Sequence, residues 1–158
     1  MKSEGFNKKF SVIEDWIDYN GHMNDSAYGV VFSLFVDNLM DKIGLDEKNR
    51  EVHQYTLYTL ETHLCYLKEA YHKEDLTVTF RILDYDSKRI HCFLQMKNKE
   101  GDVLATSEQM LMGMDQQTGK SGTFPDLVAE NIAEMYNEQK EETIPEQVGR
   151  VIGIRRKN

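Results

Sequence analysis

The stretch DYNGHMNDSAY, Asp18 to Tyr28, sets an acid, a histidine, two amides and a glycine turn directly ahead of a long apolar run. Those residue types suit holding an anion or polarising a carbonyl. A helix start offers amide N–H groups that no intrahelical carbonyl satisfies. Asp18 and His22 fall in a loop before the run, so their spacing does not place them on one helical face. An Asx-rich turn that caps a helix, with Asp18 satisfied by backbone amides, accounts for the same string.

A second pair stands further on. Glu61 and His63 alternate on an expected strand and so share a face with Thr59 and Cys65, either as site residues or as a solvated edge. Asp18, His22, Glu61 and His63 lack the tight spacing of metal ligands, and no metal is expected. His53, His72 and His91 are expected in loops or on an exposed strand face. There is no G-x-S-x-G elbow, P-loop or dinucleotide glycine fingerprint. Cys65 and Cys92 stand alone and are expected to be reduced, partly buried thiols.

The elements that must position these groups follow from periodicity. Phe10 to Ile17 is expected as a first strand leading into the Asp18 loop. From Ser26 to about Ile43, apolar residues at Val30, Val31, Leu34, Phe35, Leu39 and Ile43 predict a helix. Its polar stripe of Ser33, Asp37 and Asp41 is narrow, which predicts burial on most sides, with a cap at Asn24, Asp25 or Ser26 and a stop at Gly44. Asp46 to Glu51 is expected as a loop. Tyr55–Leu67, Leu76–Ile82, Ile90–Met96 and Val103–Met114 read as the four strands of an antiparallel meander, and Asp126 to about Lys140 as a peripheral amphipathic helix. An α+β fold results, in which an antiparallel sheet curls around one long buried helix.

With 27 acidic and 19 basic residues among 158, the net charge of −8 disfavours nucleic-acid and anionic-membrane partners. No segment resembles a signal peptide or a membrane span, so a cytosolic protein is expected. Residues 1–158 are expected to form one domain, and free sheet edges to be paired in a homodimer or homotetramer.

The order of elements, with D-Y-N-G-H-M-N and Tyr28 leading into the central helix, resembles the hotdog-fold acyl-coenzyme A (CoA) thioesterases of the 4-hydroxybenzoyl-CoA type. WIDYNGHMNDSAY, LETHLCYLKEA, LDYDSKRIHCF, LATSEQMLMGMD and GRVIGIR together are similar to the betainyl-CoA thioesterases, some of which are fused to carnitine dehydrogenases. The resemblance implies hydrolysis of a short polar acyl-CoA, such as betainyl-CoA, with the thioester as substrate and no cofactor. It implies Asp18 as nucleophile or base and the amides near Asn24 and Asp25 as oxyanion donors. His22 and Asn24 would orient Asp18, water or the carbonyl, and Glu61 would be a second carboxylate. A cationic acyl group would find aromatic faces in Trp16, Tyr19, Tyr28, Tyr55 and Tyr58, residues that ordinary packing also explains. Lys88, Arg89, Arg150, Arg155 and Arg156 are candidates for the CoA phosphates, or else solvated surface charges. A non-catalytic acyl-CoA binding module and a hotdog 3-hydroxyacyl thioester dehydratase are the alternatives.

Overall fold

The computed structural model describes residues 5–157. The chain runs through β1 (Asn7–Ser11), α1 (Asp25–Ile43), α2 (Glu47–His53), β2 (Tyr55–Tyr66), β3 (Asp75–Tyr85), β4 (Arg89–Lys97), β5 (Val103–Asp115), β6 (Lys120–Ser121) and α3 (Asp126–Gln139). The strands form one antiparallel sheet in the order β1-β3-β4-β5-β2, with β6 paired to β5. This is the hotdog arrangement. β3, β4 and β5 are a meander as expected, but β2 is not its first strand. It lies beyond β5, paired from Tyr55↔Asp115 to Tyr66↔Ala105. The segment after β2 crosses the sheet end, held by Leu67 and Lys68 amides on the Leu104 carbonyl and by the Met23 amide on the Ala70 carbonyl.

Alternation puts Leu76, Val78, Phe80 and Ile82 of β3 and Ile90, Cys92, Leu94 and Met96 of β4 on the inner face, all buried. Against them α1 lays Val31, Phe32, Phe35, Leu39 and Ile43, each no more than 1% exposed, and Phe35 stacks on Phe80 at 5.9 Å. At about 25 cal/mol per Å² of apolar area removed from water, this contact is the main attraction holding helix to sheet. Asn24 caps α1, its side chain accepting from the Ser26 amide, and Gly44 ends it at φ 99°.

Several expectations change. β1 ends at Ser11, opposite Asp75, because β3 begins there and offers no further ladder; Glu14–Trp16 is then a single 3-10 turn. Asp46 to Glu51 is not a loop but belongs largely to α2, capped by Asp46 accepting from the Asn49 amide at 2.8 Å. α2 buries no residue, so no apolar period marks it. The central helix is covered on fewer sides than its sequence predicts, since Val30 and Leu34 are 45% and 41% exposed. Finally, a bulge at Leu60 shifts the register between Thr59 and Glu61, so Thr59 pairs with Leu111 and Glu61 with Met110. Thr59 and Glu61 therefore face opposite ways.

α3 closes the sheet edge beyond the start of β1, whose pairing reaches no further along β3 than Thr79. The Gln139 amide donates to the Phe80 carbonyl at 2.8 Å and accepts from the Ile82 amide at 3.3 Å, replacing a missing strand neighbour. Beyond it, Arg81 donates to the Glu142 and Thr143 carbonyls of the segment that follows α3.

Candidate active site

Asp18 to Met23 fold back as a tight loop. The Asp18 amide donates to the His22 carbonyl, the Gly21 amide to the Asp18 carbonyl, and Gly21 takes φ 79°, a conformation that favours glycine. Asp18 Oδ1 accepts the amides of Asn20 at 2.8 Å and His22 at 3.2 Å. The Asx turn anticipated for this string therefore exists, but it occupies only one oxygen. Oδ2 has no hydrogen-bond partner among the described residues.

The loop and the start of α1 line an open cleft of about 400 Å³ with the end of β2 and the crossing segment. Asp18, His22, Asn24, Asp25 and Tyr28 are on one side in sequence, and Tyr66, Leu67, Lys68 and Glu69 on the other. Four of the five expected catalytic residues thus meet in one place. Their contacts differ from expectation in detail. The His22 ring does not approach Asp18: Nδ1 lies 3.2 Å from Glu69 Oε1, and the ring packs edge-on against Tyr71. His22 meets Asp18 through its backbone alone. The Asn24 side chain is consumed as a cap by the Ser26 amide and hydroxyl, and the Asn24 amide by the Trp16 carbonyl at 2.7 Å. The Asp25 amide has no partner among the described residues, which leaves it as the N–H at the helix start able to polarise a thioester oxygen.

Tyr28 is buried beneath the cleft, its hydroxyl accepting from the Ala70 amide at 3.1 Å. Burial pushes its phenol above the ordinary value, against the lowering effect of that amide. Tyr28 meets Tyr66 edge to face at 5.3 Å. Tyr66 and Glu69 were missed in sequence because β2 reads as a plain strand and the crossing segment carries no period. The signal available was the HLCYLKEA string itself, with an acid and an aromatic closing a strand.

Glu61 is not with Asp18 in this chain. It lines a separate cleft of about 470 Å³ with His63, His91, Glu108 and Arg150, so Asp18, His22, Glu61 and His63 do not come together. The His91 ring sits 2.7 Å from Glu108, whose other oxygen accepts the Gly149 amide at 2.7 Å. Four of the five proposed acyl-binding aromatics also lie elsewhere. Tyr55 is 4% exposed, and its hydroxyl donates to the Gly122 carbonyl at 2.6 Å. A Cβ on Gly113 would meet that hydroxyl, so Tyr55 is seated in the fold rather than offered to a ligand. Tyr58 stands on the free edge of β2, Tyr19 is 97% exposed to solvent, and Trp16 packs against the core behind the loop.

Of the expected phosphate-binding residues, Lys88 donates to the Ser121 hydroxyl at 3.2 Å, and Arg89 Nε donates to Asp86 Oδ2 at 2.7 Å. That guanidinium holds the Asp86 carboxyl down to about 2. Arg150, Arg155 and Arg156 are exposed and make no ion pair among the described residues.

Residues 12–132 match the model of the thioesterase-like superfamily, and the chain belongs to that family. It is a thioester hydrolase. Among relatives, it is similar to a betainyl-CoA thioesterase of Pseudomonas aeruginosa, at 38% identity over 144 residues, 90% of this chain and 91% of the relative. It is likewise similar to an L-carnitine dehydrogenase/betainyl-CoA thioesterase of Rhizobium meliloti, at 37% identity over 89% of this chain but only 28% of the longer relative. Among solved structures, a Staphylococcus aureus protein in complex with CoA superposes with a TM-score of 0.93 at 40% identity, covering 98% of each chain. No helix among the described residues is long and apolar enough to cross a membrane.

Proposed function

We propose that this enzyme hydrolyses a short polar acyl-CoA, betainyl-CoA first among candidates, to the free acid and CoA, with Asp18 as its catalytic carboxylate. The observation that carries the proposal is the half-satisfied Asp18: two amides fix Oδ1, and Oδ2 is unpartnered in a residue that lines the cleft. The carboxylate either attacks the thioester carbonyl, expelling CoA thiolate and leaving an anhydride that water opens, or takes the proton of an attacking water. In both routes the negative charge on the carbonyl oxygen falls to the Asp25 amide. A CoA thiol ionises near the ordinary value of about 8.5, so its thiolate leaves without strong help from an acid. The betainyl group is supported by the two relatives whose names carry it.

The chain is further proposed to act in the cytosol as a homodimer or homotetramer. In support, β2 is an edge with no further strand among the described residues and bears Tyr58 and Leu60, 53% and 51% exposed, while Val30 and Leu34 of α1 are exposed as well. Free Cys65 and Cys92 suit a reducing compartment. Glu61, on that same edge strand, would then serve a neighbouring subunit's Asp18 cleft.

Thiol release from betainyl-, acetyl- and benzoyl-CoA tests the activity. Asp18→Asn should lower turnover about 10²- to 10⁴-fold with an unchanged melting temperature. A fully active Asp18→Asn enzyme would remove Asp18 from the mechanism.

A further inference from the structure

Two features of the Asp18 cleft have no part in hydrolysis itself. The first is aromatic. Tyr66 lines the cleft and is half exposed, so its ring is available to a ligand, while its edge-to-face contact with Tyr28, planes at 84°, fixes its orientation. Its hydroxyl donates to the Asp25 carbonyl at 3.3 Å, tying the ring to the helix start. Burial, and then the Asp25 charge, pushes this phenol upward, so it is neutral at physiological pH.

The second feature is charge. Asp18, Asp25 and Glu69 all line the cleft. The one lysine among them, Lys68, turns its ammonium to Asp102, with Nζ 3.3 Å from Oδ2. The Glu69 side chain is 59% exposed and pairs, among the described residues, with the His22 ring. A substrate that brings its carbonyl to Asp18 therefore presents its acyl group to two further carboxylates and an aromatic ring. An anionic acyl group is repelled there, and a neutral one desolvates the carboxylates with nothing in return. A quaternary ammonium is attracted by the carboxylates and by the ring quadrupole, and it has no N–H to leave unpaired.

We propose that Tyr66, assisted by Asp25 and Glu69, makes this cleft select acyl groups that carry a fixed positive charge next to the thioester. The selectivity rests on thioester hydrolysis at Asp18 as proposed above. It replaces the ring set anticipated from sequence: of that set Tyr28 alone remains at the cleft, and the exposed ring is that of Tyr66.

The decisive comparison uses betainyl-CoA and tert-butylacetyl-CoA, in which carbon takes the place of the quaternary nitrogen and the shape is kept. Thiol release gives kcat/KM for both substrates in wild type, Tyr66→Phe, Tyr66→Leu and Glu69→Gln. Wild type should favour the cation by about tenfold or more. Tyr66→Phe should keep that ratio, whereas Tyr66→Leu should cut it about tenfold, and Glu69→Gln should also lower it. Equal rates on the two substrates in wild type, or an unchanged ratio in Tyr66→Leu, overturn the proposal while leaving hydrolysis intact. Hydrolysis of neither substrate, nor of any other short acyl-CoA, instead overturns the thioesterase assignment. Should Tyr66→Leu fail to fold, the wild-type ratio and its response in Glu69→Gln decide alone.

Discussion

The His22 imidazole reaches Glu69, with Nδ1 and Oε1 3.2 Å apart, while the His22 backbone amide reaches Asp18. One residue thus links the carboxylate loop to the segment that crosses behind it. In the mechanism proposed above, the ring would position the cleft wall and would not carry a proton for Asp18. His22→Ala should lower kcat about tenfold, a smaller loss than Asp18→Asn, without moving the pH profile of kcat/KM. A shift of that profile would mean that the ring takes part in proton transfer.

Tyr55 belongs to the fold. Tyr55→Phe loses one hydrogen bond to Gly122 and should cost about 0.5–1.5 kcal/mol in urea unfolding, with kcat and KM unchanged. A raised KM for the acyl-CoA would return Tyr55 to the substrate.

Alkaline pH should weaken the enzyme through its buried phenols. Burial raises Tyr55 first of all, then Asp115 adds to it, and burial likewise raises Tyr28. A group whose folded value lies above its unfolded value of about 10 contributes stability that is complete below that pH and is lost as pH climbs through it toward the folded value. Melting temperatures measured from pH 8 to 11 should fall at the alkaline end, and less steeply in Tyr55→Phe. Parallel curves for the two proteins would count against Tyr55 as the source.

The charges available to the CoA phosphates differ in their prior commitments. Asp86 already neutralises Arg89, and Ser121 engages Lys88. Replacing Arg150, Arg155 and Arg156 together should raise KM for an acyl-CoA more than Lys88→Ala with Arg89→Ala, and neither set should affect an acyl-pantetheine. Both effects should shrink as salt rises, since the groups are exposed. A larger effect from Lys88 and Arg89 would mean that the Asp86 pair opens on binding.

Gln139 stands in for a strand. Gln139→Ala should leave the Phe80 carbonyl and the Ile82 amide unmet and cost about 1–3 kcal/mol, read from urea unfolding, with turnover per folded molecule preserved.

Sequence and structure agree where a period repeats often. α1, with Asn24 and Gly44 at its ends, and the strands β2 to β5 emerge within a few residues. They diverge where one residue changes the count or where no apolar face exists. Leu60 inverts the alternation of β2 and so separates Glu61 from Thr59. α2 buries no residue and therefore shows no apolar period. At the cleft, the DYNGHMN string marked the loop that lines it, because its turn, cap and acid are all local. Glu69 and Tyr66 reach it from the far end of β2, and no local pattern records that meeting. The aromatics went astray for a similar reason: proximity in sequence stood in for proximity in space, and Tyr55, Tyr58 and Tyr19 are held or exposed elsewhere.

The Leu60 bulge has a genetic corollary. Removing Leu60 would set Thr59 directly before Glu61, opposite Leu111 and Met110, so every pair from Glu61 to Tyr66 against β5 would stand as it does now. A one-codon deletion at Leu60 should therefore be tolerated, as should Leu60→Ala. Deleting Thr62 from the regular ladder would instead make its neighbours turn over or slide by one rung, and should abolish soluble expression. Chain length matters within the ladder and not at the bulge.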